Sequence, residues 1–150
     1  MSLSENVATV LHFGQVDKAG VDYIEHPRRV ARLVRELYPD APEWTEDVAW
    51  LHDTIEDCGE ETAFKTIAGV GISPETWALV ALLSRNIRPD IDYYERIRNI
   101  PVALMVKHAD ILDNLDPERL ALLDEKTQTR LRQKYAKALD ALGLPAYGGG

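Results

Sequence analysis

The sequence predicts an all-α domain of seven to nine short helices. Three observations carry this expectation. Apolar residues recur at helical spacing along almost the whole chain. Ser-Pro, Asp-Pro and lone Pro signals stand where helices should begin. Convincing alternation with the period of two that a half-buried strand needs is absent.

Taken in chain order, Val30, Leu33, Val34 and Leu37 follow the i, i+3, i+4, i+7 rule behind Pro27, a residue suited to a first helical turn. Val48, Leu51, His52 and Ile55 repeat the pattern, with Thr45 as the expected N-cap. Ser73-Pro74 opens a helix carrying Trp77, Val80, Ala81 and Ser84, and Pro101 opens one running through Leu104, Met105 and Ile111. Asp116-Pro117 opens a shorter one, and Gly143 is the natural stop of a last helix from about Glu125. Nothing repeats and no linker divides the chain, so 1–150 reads as one domain, with a core of about 5–142 and a flexible tail over 143–150.

Composition narrows the function classes. At 45% apolar and 28% charged, the 150 residues are neither disordered nor of low complexity. The single cysteine, Cys58, excludes an intramolecular disulfide framework and suits a reducing cytoplasm. No apolar run approaches the roughly 18 to 20 residues of a membrane span, so a membrane partner is not expected. The net charge of −8 argues against a nucleic-acid-coating role. The sequence leaves a homo-oligomer open.

That charge is concentrated. Ten acids and no Lys or Arg lie between Glu36 and Glu61, leaving the rest of the chain at +2. Part of the cluster is a solvated helix face. The part around His52 is different, because His52 falls on an apolar stripe, with Asp53 beside it, Glu56 one turn past His52 and Asp57 one turn past Asp53. Burying so many carboxylates is costly unless a cation compensates them. His26, at a helix start, and Asp110, in an otherwise apolar helix with Asn114 one turn on, are further candidate ligands. Two imidazoles plus two carboxylates suit an octahedral Mn²⁺ or Fe²⁺ better than a thiolate-rich structural zinc site.

His26, then His52-Asp53, then Asp110 resembles the HD-domain metal-dependent phosphohydrolases. The flanking segments narrow the likeness to the hydrolase domain of RelA/SpoT-type alarmone enzymes and their small, hydrolase-only relatives. These segments are His12-Phe-Gly-Gln15, Lys18 to Pro27, Leu51-His-Asp-Thr-Ile-Glu-Asp57, Leu83-Ser-Arg85 and Val106-Lys-His-Ala-Asp110 through Asn114, spanning roughly 5–120. The resemblance implies a single HD-type helical bundle and one divalent ion, Mn²⁺ first, with Fe²⁺ or Zn²⁺ as alternatives. It also implies removal of the 3′-diphosphate of guanosine penta- or tetraphosphate, a small anionic nucleotide. By the same likeness His26, His52, Asp53 and Asp110 hold the metal, Glu56 and Asp57 position and deprotonate water, and Asn114 contacts the sugar.

The chemistry agrees with these roles, since a divalent ion lowers the pKa of water and clamps a phosphoryl oxygen. An anionic substrate also needs cations. Residues 85–108 hold Arg85, Arg88, Arg96, Arg98 and Lys107 against Asp90, Asp92 and Glu95. Lys18 and Lys107 are the preferred phosphate contacts, with Arg85 behind them.

Two departures bear on substrate. Where the relatives read Gly-Gln-x-Arg-Lys this chain has Gln15-Val-Asp17-Lys18, and where they read Ala-Asp-Arg-Leu-His-Asn it has Ala-Asp110-Ile-Leu-Asp113-Asn. The missing arginine is the one expected to hold the base, so Asp17→Arg is the expected route to better guanine recognition. An HD phosphohydrolase of another nucleotide or phosphorylated cofactor, and a non-catalytic metal-binding regulatory domain, are the competing readings. Elsewhere the residues read plainly: Cys58 beside acids is a poor nucleophile, His108 faces away from Asp110, and the tryptophans and Tyr93-Tyr94 pack.

Overall fold

Ten helical segments follow one another in the computed structural model, which describes residues 1–85 and 92–148. They are α1 (Leu3–Leu11), α2 (Glu25–Leu37), α3 (Trp44–Leu51), α4 (Thr54–Cys58), α5 (Glu60–Gly69), α6 (Pro74–Leu82), α7 (Tyr93–Arg98), α8 (Pro101–Asn114), α9 (Pro117–Leu120) and α10 (Glu125–Ala141). Among the described residues there is no strand, only one isolated antiparallel bridge, Val16 to Asp22. The all-α class is therefore as expected, and α4 and α9 are single turns. Arg88 and Asp90 of the basic stretch, and Gly149 and Gly150 of the tail, lie outside the described residues.

The helix starts follow the capping signals. Ser73 caps α6 ahead of Pro74, Pro101 is the first residue of α8, and Asp116 caps α9 ahead of Pro117. Gly143 ends α10 with a φ of +69°, a conformation L side chains avoid. Beyond it, Leu144 packs on the core and Tyr147 lines a cavity with α10.

One expected helix is two. The stretch from Val48 to Ile55 breaks after Leu51, because two side chains capture helix carbonyls. His52 Nδ1 meets Ala49 O at 2.7 Å and Thr54 Oγ1 donates to Leu51 O at 2.7 Å. The start also differs from expectation: α3 begins at Trp44, and Thr45 is a wholly buried second residue rather than its cap.

Helix α8 is the axis of the bundle. It packs on α2, α3, α6, α7 and α10, while α3 lies against α1, α2 and α6. Val30 and Val34 of α2, Val48 and Leu51 of α3, and Val106 and Ile111 of α8 are essentially inaccessible and form the centre of the core. Burying each such side chain contributes about 1.5–3 kcal/mol. The same packing delivers His26 from α2, His52-Asp53 from the α3–α4 junction and Asp110 from α8 to one point.

Candidate metal centre and cleft

His26, His52, Asp53 and Asp110 each offer a ligand atom, and these four atoms lie within 4.8 Å of one another. His26 Nε2 is 2.8 Å from Asp110 Oδ1 and 3.5 Å from Asp53 Oδ2, and His52 Nε2 is 3.3 and 3.1 Å from the same two oxygens. Both histidines and Asp110 are 4% exposed, so these charges are nearly out of water.

Each ligand is aimed by a second partner. His26 Nδ1 meets Asp113 Oδ2 at 2.7 Å and His52 Nδ1 meets Ala49 O, so each imidazole turns its Nε2 toward the cluster. Tyr23 donates its hydroxyl to Asp53 Oδ2 at 2.5 Å. Lys107 Nζ donates to Asp110 Oδ2 at 2.9 Å, and Asn114 Nδ2 to Asp110 Oδ1 at 3.2 Å.

Opposite charges outweigh burial at all four groups. Burial alone would lower both imidazole pKa values, but the carboxylates win. Asp110, Asp113 and Asp53 hold His26 well above its ordinary value, and Asp53 and Asp110 push His52 up to about 10. Burial would raise the two acids, yet His52 and His26 hold Asp53 well below the usual carboxylate range, and Lys107, His26 and His52 do the same for Asp110. Protons on Nε2 thus bridge the imidazoles to two ionised carboxylates. One divalent cation replaces two such protons without changing the charge of the site. Donor type, burial and second partners all fit a metal ion.

Three of the four, His26, Asp53 and Asp110, line a cleft of about 490 Å³ together with Glu56, and His52 lies behind them. Lys18, Arg85, Lys107 and Lys134 line the same cleft. Burial and then the charges of Arg85, Lys107 and Lys18 lower the pKa of the Lys134 ammonium, as expected where several cations stand close together. A third zone is apolar: Val16 and Val21 from the loop before α2, and Leu122, Leu123 and Leu131 around the start of α10.

The expected site residues are not equally placed. Lys18, Arg85 and Asn114 line the cleft, as does Glu56, whose Oε1 accepts the Arg85 backbone N–H at 2.8 Å. Lys107 lines it too, but its ammonium is committed to Asp110, so it orients a ligand rather than standing free for phosphate. Asp57 is not among the lining residues. Its Oδ2 faces His12 Nδ1 at 3.8 Å, and burial followed by the Asp53 charge raises its pKa. Two adjacent acids on a single short turn cannot face the same way, so the carboxylate on the cleft is Glu56.

The sequence reading missed Arg29, Arg119, Lys134, Tyr135 and Tyr23. Lys134 and Tyr135 sit on α10, beyond the segments that carry the resemblance, and only their helical spacing could have hinted at an inward face. Tyr23 lies within a quoted segment, and its role shows only in its reach to Asp53. Other residues are as read. The Cys58 thiol donates to Leu11 O and is raised by burial and Asp57, His108 meets Tyr38 Oη at 2.5 Å, and Tyr93 packs beneath the Arg85 guanidinium at 4.3 Å.

Comparison with known proteins agrees with this geometry. A solved structure described as a metazoan ortholog of SpoT that hydrolyses ppGpp superimposes with a TM-score of 0.72 at 20% identity, covering 93% of this chain and 83% of that one. The Mycobacterium tuberculosis bifunctional (p)ppGpp synthase/hydrolase RelA is 31% identical over 134 residues, 85% of this chain. The Vibrio cholerae guanosine-3′,5′-bis(diphosphate) 3′-pyrophosphohydrolase is 46% identical over 52 residues, 35% of the chain. The chain spans only 18% and 7% of the length of these two relatives. No protein-family model matches it. The fold is that of the SpoT-type structure, and the resemblance to RelA/SpoT-type hydrolase domains holds.

Proposed function

We propose that this domain is a metal-dependent phosphohydrolase acting on a nucleotide diphosphate ester, with guanosine penta- or tetraphosphate as substrate and its 3′-diphosphate as the group removed. The carrying observation is the juxtaposition of a buried His-His-Asp-Asp quartet with a cationic wall in one cleft. His26, His52, Asp53 and Asp110 hold the ion, and Mn²⁺ suits their mixed nitrogen and oxygen donors. When bound, the ion supplies positive charge at the reacting phosphoryl group and acidifies water.

The chain's own residues do the rest. Glu56 takes the proton from the attacking water, whose oxygen bonds to the proximal phosphorus of the 3′-diphosphate. The bond from that phosphorus to the 3′-oxygen breaks, the 3′-oxygen gains a proton, and pyrophosphate leaves. Lys18, Arg85 and Lys134 hold the phosphate oxygens, compensating charge that Lys107, bound to Asp110, does not. Asn114 orients Asp110 and contacts the sugar. Asp57 faces His12 rather than the water.

Two other readings remain in competition. Asp17, in place of a base-holding arginine, favours another nucleotide or phosphorylated cofactor as substrate. A non-catalytic metal domain has no use for Glu56 on the cleft. No helix among the described residues is long and apolar enough to cross a membrane, and with a lone cysteine we place the domain in the cytoplasm. A turnover screen with Mn²⁺ against alarmones, ordinary nucleotides and phosphorylated cofactors decides. Preferred release of pyrophosphate from guanosine tetraphosphate supports the proposal, and robust turnover of another phosphoester without it transfers the site to the second reading.

A further inference from the structure

Arg119 of α9 lines the cleft and is held along its edge. Its Nη1 donates to Asp113 O at 2.8 Å and to Asp113 Oδ2 at 2.9 Å, and its Nη2 lies 3.5 Å from Asp17 Oδ2. Both carboxylates are themselves fixed. Asp113 is 3% exposed and also takes His26 Nδ1 and Arg29 Nε, each at 2.7 Å. Asp17 Oδ1 accepts the backbone N–H groups of Ala19 and Val21 at 2.8 and 3.0 Å, closing a turn that Gly20 completes at a φ of +83°.

Asp113 on Nη1 and Asp17 beside Nη2 hold the guanidinium plane in one orientation, and the side chain is 27% exposed. Around that end of the cleft the wall is apolar and uncovered: Val16 is 55%, Val21 42% and Leu122 66% exposed. A pinned cationic plane beside an apolar rim, continuous with a cationic zone and a metal centre, fits a flat aromatic group attached to phosphates.

We propose that Arg119 is the specificity-determining residue of the apolar end of the cleft, taking a nucleobase against its guanidinium face, with Asp17 and Asp113 as the pair that positions it. This rests on reading the cleft as a nucleotide site. Asp17 then does not leave the base unsupported, because it orients an arginine supplied from another element. The two acidic departures from the relatives' motifs become one unit joined by Arg119.

The test compares binding of guanosine tetraphosphate with binding of its abasic counterpart, ribose bearing the same 3′- and 5′-diphosphates. Both are titrated calorimetrically into the Mn²⁺-loaded protein carrying Glu56→Gln to prevent turnover, with Arg119→Lys and Arg119→Ala added in turn. The base-bearing compound should bind the parent about tenfold or more tightly than the abasic one. Arg119→Lys keeps the charge but not the plane, so it should erase most of that preference while lowering abasic affinity far less. Arg119→Ala should lose the preference as well. If Arg119→Lys discriminates like the parent, or the parent binds both compounds equally, the inference is overturned while the phosphate end stands. If the metal-loaded parent binds neither, the nucleotide reading fails and takes this inference with it.

Discussion

Asp113 meets His26 through a 2.7 Å contact between Oδ2 and Nδ1, joining α8 to α2 beneath the metal quartet. The carboxylate fixes which imidazole nitrogen faces the cluster and makes that nitrogen a better donor. Asp113→Asn should therefore weaken Mn²⁺ or Zn²⁺ binding by about 10- to 100-fold. A competition titration against a chromophoric chelator measures this, and unchanged affinity would show that His26 is oriented without Asp113.

Metal uptake should release protons. In the metal-free protein, neighbouring acids outweigh burial and keep His26 and His52 protonated at neutral pH. Binding needs both Nε2 lone pairs, so affinity should rise with pH and the metal should displace about two protons near pH 7.5. Calorimetry in buffers of different ionisation enthalpy counts them, and zero protons would contradict the bridged imidazoles. The raised value of His52 stabilises the metal-free fold fully below about pH 6.5, and that contribution is lost as pH rises through about 10.

The two acids of α4 should separate in kinetics. Glu56 lines the cleft and Asp57 faces His12, so Glu56→Gln should retain metal and lower kcat by about 10² or more. Asp57→Asn should lower kcat far less and shift the unfolding midpoint instead. Equal losses of kcat would place Asp57 on the water after all.

Asp17→Arg tests how far sequence likeness can be trusted at one position. By motif alone it restores a base-holding residue. In the structure it removes the acceptor of two loop N–H groups and puts a second cation beside Arg119. The variant should lose about 1–3 kcal/mol of stability and raise KM for guanosine tetraphosphate. A lowered KM at unchanged stability would favour the motif over the contacts.

What was legible in the sequence was what local chemistry dictates. Pro101, Ser73-Pro74, Asp116-Pro117 and Gly143 mark helix ends because caps and φ restrictions act over a few residues. His52 and Asp110 could be singled out because titratable groups on apolar stripes need a reason to be there, Asp53 as the neighbour of His52, and His26 by its place at a helix start. The break after Leu51 was hidden, since it depends on His52 and Thr54 side chains capturing carbonyls inside an unbroken apolar pattern. Which of Glu56 and Asp57 faces the cleft was hidden too, since it depends on what packs against each side of α4. Arg119 and Lys134 were illegible for another reason. Their placement depends on how α9 and α10 close over the cleft, and pairing such as Asp17 with Arg119 across 102 positions leaves no periodic trace.

The most direct measurement of the central claim follows the products of guanosine tetraphosphate hydrolysis in ¹⁸O-labelled water, using protein stripped with a chelator and then reloaded with Mn²⁺. The account predicts no turnover by the stripped protein. The reloaded protein should yield pyrophosphate carrying one ¹⁸O atom and a guanosine 5′-diphosphate carrying none. Release of orthophosphate, label in the nucleotide, or no reaction by protein that has taken up its metal would contradict it.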